Sequence, residues 1–260
     1  MRYLIILAIA LSIACASGEV KLFQTPEDQF EYAKKLYAEK KYEKAAEAFQ
    51  TVIFRFHGTS LADSVAFYIG QCYYSAEDYI LAVAEFKRLL QNYPNSPLAD
   101  EAHYFVAKSY FNDTPDNVGL EQDGISDAIS TIENFFEDFP NSPFRQNARD
   151  LLDSCYARLA QKNYRNGEVY FKIGDLRAAR IYLEEVVTDY TQAEWVGKAL
   201  FRLAEIDYKE KQYTESEAKL NNFLKAFPNH EWAEKAQKKL QDVEKKLQEQ
   251  EVQENERAEE

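Results

Sequence analysis

The stretch of this sequence best suited to covalent chemistry stands near its start. Leu11-Ser12-Ile13-Ala14-Cys15 follows a positive beginning, Met1-Arg2-Tyr3, and an unbroken apolar and small-residue run from Leu4 to Ala14. That order is a secretory signal: charged end, apolar middle, small residues at the cut. The pentapeptide resembles a lipobox, whose cysteine thiol receives lipid and becomes the mature N-terminus. Ser12 stands where an aliphatic residue is usual, with Leu11 one place further out. A competing reading takes Ala14-Cys15-Ala16 as an ordinary small-x-small cleavage site, which leaves a secreted chain with no anchor. The apolar run is too short for a spanning helix of ~20 residues. On the first reading Cys15 is the lipid attachment site. Each buried methylene then contributes ~0.8 kcal/mol, so several acyl chains hold where one does not.

Other chemistry-capable side chains are scattered. His57, His103 and His230 are far apart, with no paired Cys or His at ligand spacing. His57 and His230 fall beside helix-ending turns, where capping or exposure is the plain reading. Cys72 and Cys155 are isolated and read as small buried helix residues. Ser60 to Asp63 has the spacing of a helix N-cap. No Gly-rich phosphate loop follows a strand, and abundant carboxylates are expected of a solvated helical surface. These residues predict no catalytic group, no metal site and no cofactor. The net charge of −13 argues against nucleic acid as a partner, which needs clustered Lys and Arg. It argues equally against polybasic membrane binding.

The elements that would position a binding surface come from a repeat. With 17 Phe and 18 Tyr but only 8 Gly and 7 Pro, the composition favours helices over a Gly/Pro-punctuated β-fold. Five times a small residue is followed four later by a bulky apolar one and twelve later by a helix-stopping position. The series runs Ala45/Phe49/His57, Ala82/Phe86/Pro94, Ala128/Ile132/Pro140, Ala179/Leu183/Thr191 and Ser216/Leu220/Pro228. Upstream of each lies a second amphipathic segment centred on Ala33, Gly70, Ala107, Gly167 or Ala204. Spacings of three and four define one helix face, and small residues let two antiparallel helices approach. This is the tetratricopeptide pattern of helix–turn–helix units. It predicts an all-α solenoid of about five hairpins with a capping helix at the C-terminal end.

The expected divisions are a signal at 1–14, a tether at 15–25, repeats 1–3 at 26–142, a long helix and repeats 4–5 at 143–230, and a capping helix with an acidic tail at 231–260. Residues 112–123, rich in polar groups, interrupt repeat 3 and predict an exposed loop. Residues 144–159 are periodic without breakers, so the first helix of repeat 4 is expected to begin early. The last twelve residues carry a net −5 and are expected to fray.

The first helix of each hairpin lines the inner surface in such folds. Three places before its small residue stands Phe30, Phe67, Tyr104, Tyr164 or Phe201, and four places after it Tyr37, Tyr74, Phe111, Phe171 or Tyr208. Seven apart, the two sites share one face. Two readings stay open: a ring-lined groove for partner segments, or packing between repeats. Between the rings stand Lys34, Gln71 and Lys108, then Glu168 and Glu205, which suggests two binding regions of different sign.

The combination resembles the BamD family, outer-membrane assembly lipoproteins of the β-barrel assembly machinery. The resemblance is carried by Tyr37 to Phe49 (YAEKKYEKAAEAF), Phe86 to Pro97 (FKRLLQNYPNSP), Phe135 to Pro143 (FFEDFPNSP) and Leu159 to Tyr190 (LAQKNYRNGEVYFKIGDLRAARIYLEEVVTDY). It implies a non-enzymatic scaffold, lipid-anchored on the outer membrane and facing the periplasm. Implied partners are the β-barrel insertase, other subunits of the machinery and unfolded barrel precursors. Precursors would meet Phe30, Tyr37, Phe67, Tyr74, Tyr104 and Phe111. The insertase would meet Tyr164, Phe171, Arg180, Tyr182, Phe201 and Tyr208. Tyr182 stands where the family commonly carries an Arg implicated in partner coupling, with Arg180 nearby, and the repeat 3 insertion is short. An alternative is another periplasmic tetratricopeptide scaffold, serving cell-envelope synthesis or division.

Overall fold

The computed structural model describes residues 23–190 and 193–259. The signal, Cys15 and most of the tether fall outside the described residues. Among those residues the chain forms eleven helices and no strand. They pair as hairpins α1/α2 (Pro26–Ala38, Tyr42–Arg55), α3/α4 (Ala62–Ser75, Tyr79–Asn92), α5/α6 (Ala99–Asp113, Asp123–Asp138), α7/α8 (Arg145–Ile173, Leu176–Asp189) and α9/α10 (Ala193–Lys209, Tyr213–Ala226). Each second helix also packs on the next first helix, and α11 (Ala233–Glu259) packs on α10, giving a tetratricopeptide-repeat solenoid.

The small-residue positions are where the helices touch. Ala33, Ala45, Ala82, Ala128 and Ala179 are wholly buried. A Cβ on Gly70 would lie 2.6 Å from the Phe86 ring, and one on Gly167 would lie 2.7 Å from Leu183. Glycine is required there for close approach. The hairpin turns place one residue in the left-handed region at a common register: Lys40 (φ 59), Glu77 (φ 63), Gly174 (φ 89) and Lys211 (φ 63).

All five second helices end ten residues after the small position, at Arg55, Asn92, Asp138, Asp189 and Ala226. Repeats 1 and 4 do so without proline, so proline follows the end rather than setting it. The shared feature is an aromatic C-cap: Phe56, Tyr93, Phe139, Tyr190 or Phe227. Each of these rings packs on its own part of the core. Apolar burial thus stops the helix, and proline adds a second barrier in three repeats.

Three expectations are refined. Helix α7 begins at Arg145 and runs 29 residues, as the breaker-free stretch predicts. The repeat 3 insertion is only partly exposed, because Val118 and Gln122 are buried. Arg158 of α7 donates to the Thr114 carbonyl (3.2 Å) and to Asp116 (3.1 Å), and Arg165 donates to Asn117 (2.9 Å). The insertion is therefore pinned along the long helix. The acidic tail does not fray: α11 is helical to Glu259, though residues beyond Leu247 are almost all exposed. Its Glu, Gln, Lys and Ala are strong helix formers, and the buried Ala236, Leu240 and Val243 anchor the helix they extend.

Candidate binding surface

The ten rings of the first helices form two rows with different surroundings. The first row, Phe30, Phe67, Tyr104, Tyr164 and Phe201, is buried. Phe30 meets Phe49 and Tyr68, Phe67 meets Phe86 and Phe105, and Tyr104 stacks on Phe144. Tyr164 meets Trp195, and Phe201 meets Phe223 and Trp232. These rings join one repeat to the next. Burial pushes the Tyr164 phenol well above its ordinary value, so its hydroxyl stays protonated.

The second row is half-buried, and each ring is met by the first helix of the next repeat or, for Tyr208, by α11. The Tyr37 hydroxyl pairs with Ser75 Oγ (2.9 Å), and Asn112 Nδ2 donates to the Tyr74 hydroxyl (2.9 Å). Phe111 lies 4.3 Å from the Arg158 guanidinium. Phe171 is held by Arg202 and Lys209, each 4.5 Å from its centroid. Lys239 of α11 sits 3.3 Å from the Tyr208 ring centre. Burial lowers the pKa of Lys239, and neighbouring Lys209 and Lys235 add to the effect. Edges of these five rings and the side chains around them are what this face of the first helices presents.

The change of sign along this surface is neutralised inside the fold. Arg202 bonds to both Glu168 and Glu205, and all three side chains are mostly buried. Burial opposes the Arg202 charge, yet its bonds to Glu168 and the field of Glu205 outweigh it and hold its pKa above the ordinary value. The two glutamates therefore do not stand as a free acidic surface. Lys34 pairs with Glu31 (3.0 Å) and lies against the Phe30 ring, and Lys108 lies against the Tyr74 and Tyr104 rings.

Arg180 is likewise engaged within the chain. Its Nη1 lies 2.8 Å from Asp207 Oδ1, and its Nη2 lies 2.5 Å from Glu210. Asp207 is fully buried and also receives Lys219 Nζ at 2.7 Å, so one carboxylate ties α8, α9 and α10 together. Tyr182 stacks face to face on Tyr170, 5.5 Å between centroids and 7° between planes. Near this stack the turn end of hairpin α7/α8 exposes Val169, Ile173 and Ile181.

The Ser60–Asp63 segment does not cap α3. Asp63 accepts from Ser96 of the next repeat (2.7 Å), and Asp100 accepts from Ser142 in the same way (2.6 Å). His230 takes the place of those serines in the last repeat: its Nδ1 accepts the Trp232 N–H at 3.0 Å. Gly197, which replaces the aspartate, leaves room for that ring. Burial pushes the Cys72 and Cys155 thiols up to about 12, so neither forms a thiolate near neutrality. Among the described residues no group of three His, Cys, Asp or Glu side chains could hold a metal ion, and no helix is long and apolar enough to cross a membrane.

Residues 24–219, from ahead of α1 into α10, match the family described as YfiO, outer membrane lipoprotein. The chain belongs to this YfiO (BamD) family. The match covers the first four hairpins and α9, ends midway along α10 and leaves α11 beyond its end. No curated protein sequence matches the chain significantly. Among solved structures it is similar to a TPR repeats protein from Bacteroides fragilis NCTC 9343, at 14% identity, 85% of this chain, 100% of that one and a TM-score of 0.48. It is also similar to the TPR2AB-domain:pHSP90-complex of yeast Sti1, at 12% identity, 78% of each chain and a TM-score of 0.43. For this YfiO-family chain, charged residues outside any ring pattern tie the repeats together beneath the surface: Arg202, Asp207, Lys219 and the insertion-binding Arg158 and Arg165. Their only sequence signal is charge placed on a helix face that the repeat otherwise buries.

Proposed function

We propose that this outer-membrane lipoprotein is a non-enzymatic scaffold that helps assemble β-barrel proteins into the outer membrane. Cys15 carries the lipid, and the solenoid faces the periplasm. The reading is carried by the family match, which runs from ahead of α1 to the middle of α10. The distribution of exposed apolar side chains supports a binding role. Ile80, Leu81, Leu120, Val169, Ile173 and Ile181 all lie near the turns within hairpins, along one edge of the solenoid. An edge of this kind fits protein partners.

In this reading repeats 4–5 (within 143–230) hold the barrel insertase. Tyr182, Tyr170, Ile173 and Ile181 make the contact, while Arg180, Tyr164, Phe171, Phe201 and Tyr208 keep the region rigid beneath it. Repeats 1–3 (within 26–142) receive unfolded precursors at the half-buried edges of Tyr37, Tyr74 and Phe111, with Phe30, Phe67 and Tyr104 as the packed support. The mechanism is binding and positioning with no covalent step. Depletion of the protein from cells tests it. Folded barrel proteins are expected to fall in the outer membrane while their unfolded precursors accumulate in the periplasm. Normal barrel levels after full depletion would refute the role.

A further inference from the structure

Phe54 is 78% exposed, more than any other large apolar side chain among the described residues. It sits on the last turn of α2, nine places after the small residue of its repeat. At the same place the other repeats carry Gln91, Glu137, Thr188 and Lys225, all polar and exposed. The next position is Arg55, against Asn92, Asp138, Asp189 and Ala226. The helix-stopping position is His57, against Pro94, Pro140, Thr191 and Pro228. Repeat 1 alone therefore places an exposed ring with a fixed cation and a histidine at this edge, and the Phe54 and His57 rings are 6.4 Å apart.

These three residues gather where the chain joins the solenoid. Arg55 Nη1 donates to the carbonyl of Phe23, the first described residue, at 2.8 Å. Eight peptide units separate Phe23 from Cys15. Eight units reach at most ~29 Å however they are arranged. A lipid on Cys15 thus holds this edge of hairpin 1 near the bilayer, while the apolar turn edge lies at the opposite end of the same helices.

We propose that Phe54, with Arg55 and His57 beside it, is a membrane-contact site through which hairpin 1 rests on the phospholipid surface carrying the Cys15 lipid. This rests on the lipoprotein reading of Cys15. An aromatic ring settles at the boundary of headgroups and acyl chains, and a flanking guanidinium stays among the headgroups. Glu27 and Asp28 in the first turn of α1 share this end of the hairpin and oppose an anionic surface. Ring burial is therefore the main attraction, and Arg55 offsets the local acidity. Contact here orients the solenoid with its turn edge directed away from the bilayer and open to partners.

The test uses the full lipidated chain in vesicles of phosphatidylethanolamine and phosphatidylglycerol containing brominated phosphatidylcholine. Phe54→Trp is compared with the parent chain, whose Trp195 and Trp232 set the background emission. The added emission is expected to shift to the blue and lose roughly half its intensity to the bromine, as for a ring at the acyl boundary. Ile80→Trp, exposed at the opposite edge, is expected to show neither change. The same sample is floated on a density gradient. Flotation without quenching at position 54, or with equal quenching at 54 and 80, overturns the contact and leaves the anchor standing. Failure to float removes the anchor and the contact together. Both positions are exposed, so unchanged thermal melts show that the substitutions leave the fold intact.

Discussion

Tyr68 and Phe105 occupy in repeats 2 and 3 the place held by Arg165 and Arg202 in repeats 4 and 5, one residue after the buried ring of each first helix. Tyr68 stacks on Phe49 at 5.3 Å and meets Phe30 and Tyr37 edge-on. Phe105 stacks on Phe86 at 5.5 Å and meets Phe67 and Tyr74. Arg202 binds Glu168 and Glu205 between the Phe171 and Trp232 rings, and Arg165 reaches the insertion. At this position the first half of the solenoid is joined by rings and the second half by charges, which add there to the Tyr164–Trp195 and Phe201–Trp232 ring contacts. Ring packing is weakly directional and indifferent to pH. A buried ionic clamp adds little net stability when intact but fixes register and is severe to break. The proposed role of repeats 4–5, holding the insertase in one orientation, would benefit from the second kind of joint.

The comparison is broken most sharply at Asp207. Asp207→Ala leaves Arg180 and Lys219 without their shared carboxylate and is expected to cost about 3–5 kcal/mol. Phe105→Ala opens a cavity between repeats 2 and 3 and is expected to cost about 3 kcal/mol. Urea unfolding read by hydrogen exchange should place the loss in α8–α10 for the first and in α3–α6 for the second. Loss spread evenly along the chain would contradict a two-part solenoid.

Next in size is Arg202→Met, which leaves two carboxylates facing each other in a half-buried site and is expected to cost about 1–3 kcal/mol. Adding Glu168→Gln and Glu205→Gln should recover most of that loss in a thermal melt. No recovery would mean that the arginine acts by packing on Phe171 and Trp232 rather than by charge.

His103 gives the ring-built half one pH-dependent joint. It lies 6.0 Å from Phe135 and 5.7 Å from Phe139, and burial, helped by Lys87, lowers its pKa against the pull of Asp138. A depressed folded value means stability is full above the unfolded pKa of about 6.5 and is lost as pH falls through the folded value. His103→Gln is expected to flatten the fall in melting temperature between neutral and mildly acid pH. The smallest effect is at the turns: Glu77→Gly relieves a left-handed residue and is expected to stabilise by at most about 1 kcal/mol.

The repeat ruler made the helix registers legible, because burial of a small residue and a bulky one four later is a local, periodic requirement. It located Ala45, Gly70, Gly167 and the long α7 correctly. The ring rows were visible as a pattern, but their surroundings were not. Whether Tyr74 opens to solvent depends on Asn112, 38 residues away, the spacing that also joins Tyr37 to Ser75 but with a different residue type at the partner position. Contacts that cross repeats through single charges, such as Arg180 to Asp207 or Arg158 to Asp116, escaped for the same reason. So did the helicity of the tail, where strong propensity prevailed over an unfavourable run of charge.

The assembly role is tested most directly by what the C-terminal half holds. Affinity purification of the full-length, lipidated chain from detergent-solubilised membranes reads it in one step. The expected result is an outer-membrane β-barrel insertase recovered in stoichiometric amount, lost when Tyr182 and Ile181 are changed to Asp and retained when Phe54 is changed to Ser. Reproducible absence of such a protein, with the chain folded and membrane-bound, would contradict the assembly role.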